Sequence, residues 1–276
     1  MTRLLKNPIA VIGLAIILCY IVMAIISQFW LPFDPLQMEV SRILEAPSVV
    51  TGHVFGTDEF GRDVLSRIMK GAGISIVIAI SATAIGSCIG TLMGVWAGFL
   101  GGAWDHWIMR GMDILFSFPS LLLAIFIMAV LGEKTYNVIV AISIVYIPQF
   151  ARVSRGAVLA IKGSEFIRAA FSSGADRRYV LSRHIMPNIM MPIIVQCSLS
   201  LSVAILLESA LSFLGLGVQP PQPSWGNMLS SARKVMLLAP WTAIYPGFAI
   251  MGIVLGFNLL GDGLRDILDP RLRNLK

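Results

Sequence analysis

In a chain with only 13% charged residues, the polar chemistry gathers in one stretch, Glu165 to Asn188, reading EFIRAAFSSGADRRYVLSRHIMPN. Residues 152 to 188 hold seven basic side chains, so this segment belongs in water or against a polar partner. Phe166, Ala169, Ala170 and Ser173 recur at i, i+3, i+4 and i+7, giving one helical face that is bare of bulk apart from Phe166. Such a face permits close backbone approach, with Glu165 and Arg168 at its polar edges. Gly174 is placed to end the helix in a left-handed conformation, and Asp176 to cap a second helix running toward His184. Two uses fit: an amphipathic helix lying on lipid headgroups, or a knob seated in the groove of a partner.

Other reactive residue types make no site. His53, His106 and His184 are too scattered for metal-ligand spacing. Cys19, Cys88 and Cys197 lie far apart in apolar runs without a CxxC pair, and they read as small buried hydrophobes. There is no G-x4-G-K-[ST] loop to cradle nucleotide phosphates, no H-E-x-x-H and no G-x-S-x-G. The chain is therefore expected not to be an enzyme and to need no metal or cofactor.

The elements that carry these residues are set by hydropathy. The 276 residues are 57% hydrophobic with a mean hydropathy of +0.82. Charge lies far below the roughly 25% of a soluble domain. A bilayer core about 30 Å thick needs about 20 apolar residues per helix. Six candidate spans are predicted: Asn7 to Phe33, a helix within Gly71 to Trp104, Ile114 to Gly132, Thr135 to Ala151, Pro187 to about Phe213, and a helix within Val235 to Gly261. Arg3 and Lys6 precede the first without a cleavage-site pattern, so it is expected to stay in place. Gly215 to Ala232 is uncharged but rich in Pro, Gly, Gln and Ser, and it reads as a loop or a shallow re-entrant segment.

Six spans put both termini on one side. A cytoplasmic placement of the termini puts 14 of the 21 Lys and Arg residues there, among them Arg3, Lys6, Arg110, Arg152, Arg155, Arg168, Arg177, Arg271, Arg273 and Lys276. The expected orientation is N-in, C-in. Membrane topology thus accounts for the +6 net charge, and nucleic acid is not an expected partner.

Glu208 is the only acidic residue inside a predicted span. It lies near the outer end of its helix, as a hydrated structural group or as part of a translocation path. Pro119, Pro148, Pro192 and Pro246 are placed to bend their helices. Gly86, Gly90, Gly94 and Gly98 recur every fourth residue, a surface for tight packing against this bundle or another. In Gly56 to Arg67, GTDEFGRDVLSR, the glycines signal turns. Arg62 and Asp63 read as a local pair, with contact to an extracytoplasmic protein as the alternative.

The hairpin resembles the cytoplasmic loop of inner-membrane permease subunits of ATP-binding-cassette importers, whose pattern is E-A-A-x3-G-x9-I-x-L-P. Ala169, Ala170, Gly174 and Pro187 stand at the matching spacing, while Arg168, His184 and Met186 replace the Glu, Ile and Leu. His184 to Asn188 is similar to the dipeptide, oligopeptide and nickel branch, as are Gly56 to Arg67, Ala210 to Leu229 and Phe257 to Leu272. Within that branch the chain resembles the second, C-type permease of the pair.

This resemblance implies an all-α polytopic membrane protein with six transmembrane helices, a type I importer permease fold and a coupling-helix hairpin. It implies a cytoplasmic N-terminus at 1–6, a first span at 7–30 and an extracytoplasmic segment at 31–70. The permease core follows at 71–276, with the coupling loop at 156–187 and a cytoplasmic tail at 262–276. The implied partners are a second homologous permease, two ATPase subunits, an extracytoplasmic solute-binding protein and the lipid of a bacterial or archaeal plasma membrane. Coupling to the ATPases then falls to Glu165, Phe166, Arg168, Ala169, Ala170, Ser173 and Gly174. Di- or oligopeptides are the expected cargo, with glutathione or nickel chelates as alternatives. A self-sufficient secondary transporter is the rival reading, but the chain shows neither an evident internal repeat nor a charge deep in a predicted span.

Overall fold

The computed structural model describes residues 7–268, which form helices and no strand. Residues 1–6 and 269–276 lie outside the described residues, and with them Arg3, Lys6, Arg271, Arg273, Lys276 and the end of the expected tail. Five helices are long and apolar enough to cross a membrane, and a bent pair brings the number to six.

α1 (Pro8–Phe29) opens with Pro8 in its first turn, and the Asn7 side chain accepts from the N–H groups of Ile9 and Ala10. α2 (Val64–Leu100) starts before the expected boundary at Gly71. The Asp63 carboxylate accepts from Ser66 N–H and nucleates the helix there. Arg67, which hydropathy keeps out of a span, is satisfied by Pro35 O at 2.9 Å and by Asp58.

The expected span Ile114 to Gly132 forms as part of a bent pair and not as one helix. α3 (Gly102–Phe116) and α4 (Ser120–Leu131) meet at a 91° bend. Pro119 sits at the N-cap of α4 and not inside a helix, because the residue before a proline is pushed out of the α region. α5 (Thr135–Lys162) runs past its expected end at Ala151, with Pro148 inside it. Arg152 and Arg155 can remain in that helix because Asp113 and Asp105 of α3 pair with them at 2.7 and 2.5 Å.

α6 (Glu165–Ser172) and α7 (Arg177–Tyr179) form the hairpin, and a π-helical turn, Val180–Ile185, leads into α8 (Met186–Phe213). Pro187 stands in the first turn of α8, as expected, but the helical chain does not begin there. One helix runs from Arg177 to Phe213, and Pro192 lies within it. A proline ring clashes with the carbonyl of residue i−4, and the wide turn just before Pro187 relieves that clash. α9 (Trp225–Ala232) adds a short helix to the segment read as a loop, and α10 (Trp241–Leu268), with Pro246 inside it, completes the bundle.

α2 and α5 run parallel, joined along the glycine stripe. Gly86 lies on Ser143, Gly90 on Ile147 and Phe150, Gly94 on Ala151, and Gly98 on Val158. The stripe therefore serves this chain's own bundle. α1 packs antiparallel on α10, with Gly13 against Gly256 and Leu260, and Ala10 against Gly263. The thiols depart from expectation: Cys19 and Cys88 are exposed and Cys197 is half-buried. They stand on outward apolar faces, where lipid serves as well as protein.

At the end opposite the hairpin, the turns at Gly56 and Gly61 form as expected, with φ of +73° and +74°. Arg62 does not pair with Asp63. Its Nε donates to Asp58 at 2.7 Å, while Asp63 binds His53 at 2.9 Å and caps α2. A helix-capping carboxylate faces the helix start, away from the residue that precedes it. Asp58, Arg62, Asp63 and Arg67 are all buried, so this is an interior polar network and not a set of headgroup contacts.

Candidate functional site

The hairpin is built from two helix ends and one anchor. α6 closes in a Schellman arrangement: Gly174, at φ +84°, donates to Phe171 O at 3.0 Å, and Ala175 donates to Ala170 O at 3.1 Å. No atom lies within 4 Å of where a Cβ at Gly174 would stand, so backbone conformation and not space selects glycine. Asp176 then accepts from Tyr179 N–H at 2.9 Å and starts the next helix, as its position in the sequence predicts.

Ile167, which the sequence reading passed over, is the buried residue of α6 at 1% exposure. It joins Val180, Ile185 and Ile189 in the hydrophobic core. As the one bulky aliphatic residue of EFIRAAFS, one turn before the half-buried Ala170, it could have been found. With Ile167 turned inward, Glu165, Phe166, Arg168, Ala169, Ser173 and Gly174 are exposed and Ala170 is half-buried. Phe166 and Tyr179 flank His184, with ring centroids 6.4 and 5.7 Å away. Six of the seven hairpin residues are thus exposed on α6 and the turn that ends it, Ala170 is half-buried, and Ile167 fixes the helix to the core.

Glu208 stands apart from that surface, near the far end of α8, with no exposed area. It accepts from Ser212 Oγ at 2.8 Å and lies 3.5 Å from Ser209 Oγ. Ser212 Oγ in turn accepts from Val218 N–H at 3.1 Å, tying α8 to the segment that returns over it. In that segment Ser224 and Asn227 form a reciprocal capping box, an S-x-x-N signal legible in the sequence but not read there. The box presents Trp225, fully buried, whose Nε1 donates to Ile68 O at 3.1 Å.

A helical bundle with span-length apolar helices and an exposed, rigidly anchored elbow has the build of a polytopic permease subunit. Residues 90–274 match the family described as the binding-protein-dependent transport system inner membrane component, and residues 1–47 match the N-terminal TM domain of oligopeptide transport permease C. The chain belongs to the binding-protein-dependent permease family and is a membrane-spanning subunit of an ATP-binding-cassette importer.

Its relatives match along almost its whole length. It is 44% identical over 272 residues to the dipeptide transport system permease protein DppC of Alkalihalophilus pseudofirmus, covering 99% of this chain and 89% of that protein. It is 44% identical over 273 residues to the glutathione transport system permease protein GsiD of Pectobacterium atrosepticum, covering 99% and 90%. The GsiD of an Escherichia coli O6 strain is also 44% identical, over 272 residues, with 98% and 89% covered.

Proposed function

We propose that this chain carries short peptides across a prokaryotic plasma membrane as one of a pair of permeases, driven by two ATPases that grip its hairpin and supplied by an extracytoplasmic solute-binding protein. The observation that carries this reading is the exposed Ala169, Ser173 and Gly174 surface clamped to the bundle through Ile167. A rigid knob without a motor of its own suits a groove in a subunit that has one. When the ATPases close, the hairpin moves as a lever, and α8, continuous with it from Arg177, repacks against α2, α5 and α10. Alanine and glycine allow close approach, while Glu165 and Arg168 make polar contacts at the groove edge. The hairpin then faces the cytoplasm and both termini lie on that side, in keeping with the basic residues gathered there.

Relatives named for dipeptide and for glutathione transport stand at the same identity. Both names denote short, flexible peptides with charged ends, and that chemistry is the proposed cargo class. Photocrosslinkers at Ala169 and Ser173 should capture an ATPase subunit in native vesicles. Gly174→Asp should leave the protein in the membrane while lowering uptake and its coupling to ATP hydrolysis. Absence of any capture, together with unchanged uptake by Gly174→Asp, sinks the reading.

A further inference from the structure

Beside the hairpin, where α2 ends, a cavity of about 530 Å³ opens to the outside of the bundle, a volume in the range of small-molecule sites. Leu92 and Trp96 of α2 form one apolar wall, while Leu181, in the π-helical turn, and Met186, just after it, form the other. Arg177 and Arg178 supply the charge, and both are exposed. No acidic residue lines the cavity, and among the described residues neither arginine pairs with a carboxylate.

The α2 wall belongs to a longer stripe. Ile85, Ile89, Leu92, Trp96 and Leu100 recur every three or four residues, and all are between 38% and 60% exposed. An outward apolar stripe of that length is covered by hydrocarbon or by another chain.

Charged groups mark the level at which this stripe meets the polar boundary. The Lys162 ammonium donates to Gly98 O at 3.2 Å. Arg155, whose carbonyl oxygen would lie 3.2 Å from a Cβ at Gly98, pairs with Asp105 of α3 at 2.5 Å. Trp96 stands two residues before Gly98, at the edge of the charged zone, where an interfacial indole belongs. Leu92, Ile89 and Ile85 run from there away from the charges.

We infer that the cavity holds an anionic phospholipid, with its phosphate on Arg177 and Arg178 and an acyl chain along Leu92, Ile89 and Ile85. One molecule of that class brings both the negative group that the arginines lack and the hydrocarbon that the stripe lacks, joined end to end. A free phosphate covers the arginines alone, and an apolar helix of another subunit covers the stripe alone. The lipid bridges the end of α2 and the arm of the hairpin that leads into α8. Its place in the cytoplasmic leaflet rests on the orientation proposed above; the site itself does not.

The test uses the whole importer in proteoliposomes without ATP or cargo, so that its outcome is independent of transport. Phosphatidylglycerol with a photoreactive group on one acyl chain should label the segment that holds Leu92 and Trp96. Phosphatidylcholine with the same chain should label it about tenfold less, because its headgroup brings no net charge to the arginines. Arg177→Gln combined with Arg178→Gln should lower phosphatidylglycerol labelling about tenfold, the expected loss for two surface charges against an anionic headgroup. Arg183→Gln, exposed on the same turn but outside the cavity, should leave labelling unchanged. Excess inorganic phosphate should not compete, and a photoreactive residue in place of Trp96 should yield lipid adducts.

Equal labelling by the two lipids overturns the site, as does equal labelling of the double variant and Arg183→Gln. Competition by inorganic phosphate overturns the lipid in favour of a free anion. A protein adduct at position 96 assigns the stripe to another subunit and overturns the lipid as well.

Discussion

Gly90 lies directly against Ile147: a Cβ on the glycine would stand 2.5 Å from the Ile147 carbonyl oxygen and 2.7 Å from the Phe150 Cβ. Backbone and not a movable side chain meets it, so α2 and α5 cannot hold this separation with any larger residue. Gly90→Val should cost about 2–4 kcal/mol of stability, in the range of severe overpacking. The measurement is thermal stability of the detergent-solubilised protein, beside Gly111→Ala, which meets no atom within 4 Å and should change little.

Ile167 holds the hairpin down. Ile167→Ala should remove about 2–4 kcal/mol locally, the usual cost of truncating a buried aliphatic side chain. The bundle should keep its melting temperature while the hairpin becomes a site of limited proteolysis, and uptake should fall with it. A hairpin as protease-resistant as that of the wild type would contradict the anchoring role.

Asp58 lies between Arg62 and Arg67, with its Oδ2 at 2.7 and 3.5 Å from their Nε atoms, and all three residues are buried. Removing one charge strands two guanidiniums, and breaking a buried pair costs about 3–5 kcal/mol. Asp58→Asn should therefore lower yield and stability more than Glu39→Gln, which loses only the exposed pairing with Arg42. Equal stability of the two variants would exclude an interior network.

Trp225 offers a graded test. Trp225→Phe keeps most of the buried ring but loses the bond to Ile68 O, for about 1 kcal/mol or somewhat more. Trp225→Ala leaves a cavity and should cost about 3–5 kcal/mol. Hydrogen exchange in residues 215–232 should rise in that order.

Local chemistry explains which features could be read before folding. Long charge-free runs have one outcome in lipid, so the helical, membrane-spanning character of the chain follows from hydropathy alone. The turn at Gly174 and the cap at Asp176 are equally local, because a left-handed residue and a capping carboxylate act within one helical turn. The spacing of Ala169, Ala170, Gly174 and Pro187, taken with the stretches Gly56 to Arg67, Ala210 to Leu229 and Phe257 to Leu272, pointed to the family to which the chain belongs.

Tertiary structure decided what depends on partners distant in sequence. Arg152 and Arg155 marked the end of a span by hydropathy, but Asp113 and Asp105, about 40 to 50 positions earlier, let α5 continue through them. Ile167 became an anchor only because the fold buries it in the core that also holds Val180, Ile185 and Ile189. Asp63 left Arg62 for His53 because capping α2 fixed its direction. The bend at Pro119 turned one expected span into two helices with a cavity between them. Propensity and hydropathy act over a few residues and are printed in the sequence; charge compensation and close packing act through space, and only the folded bundle brings those groups together.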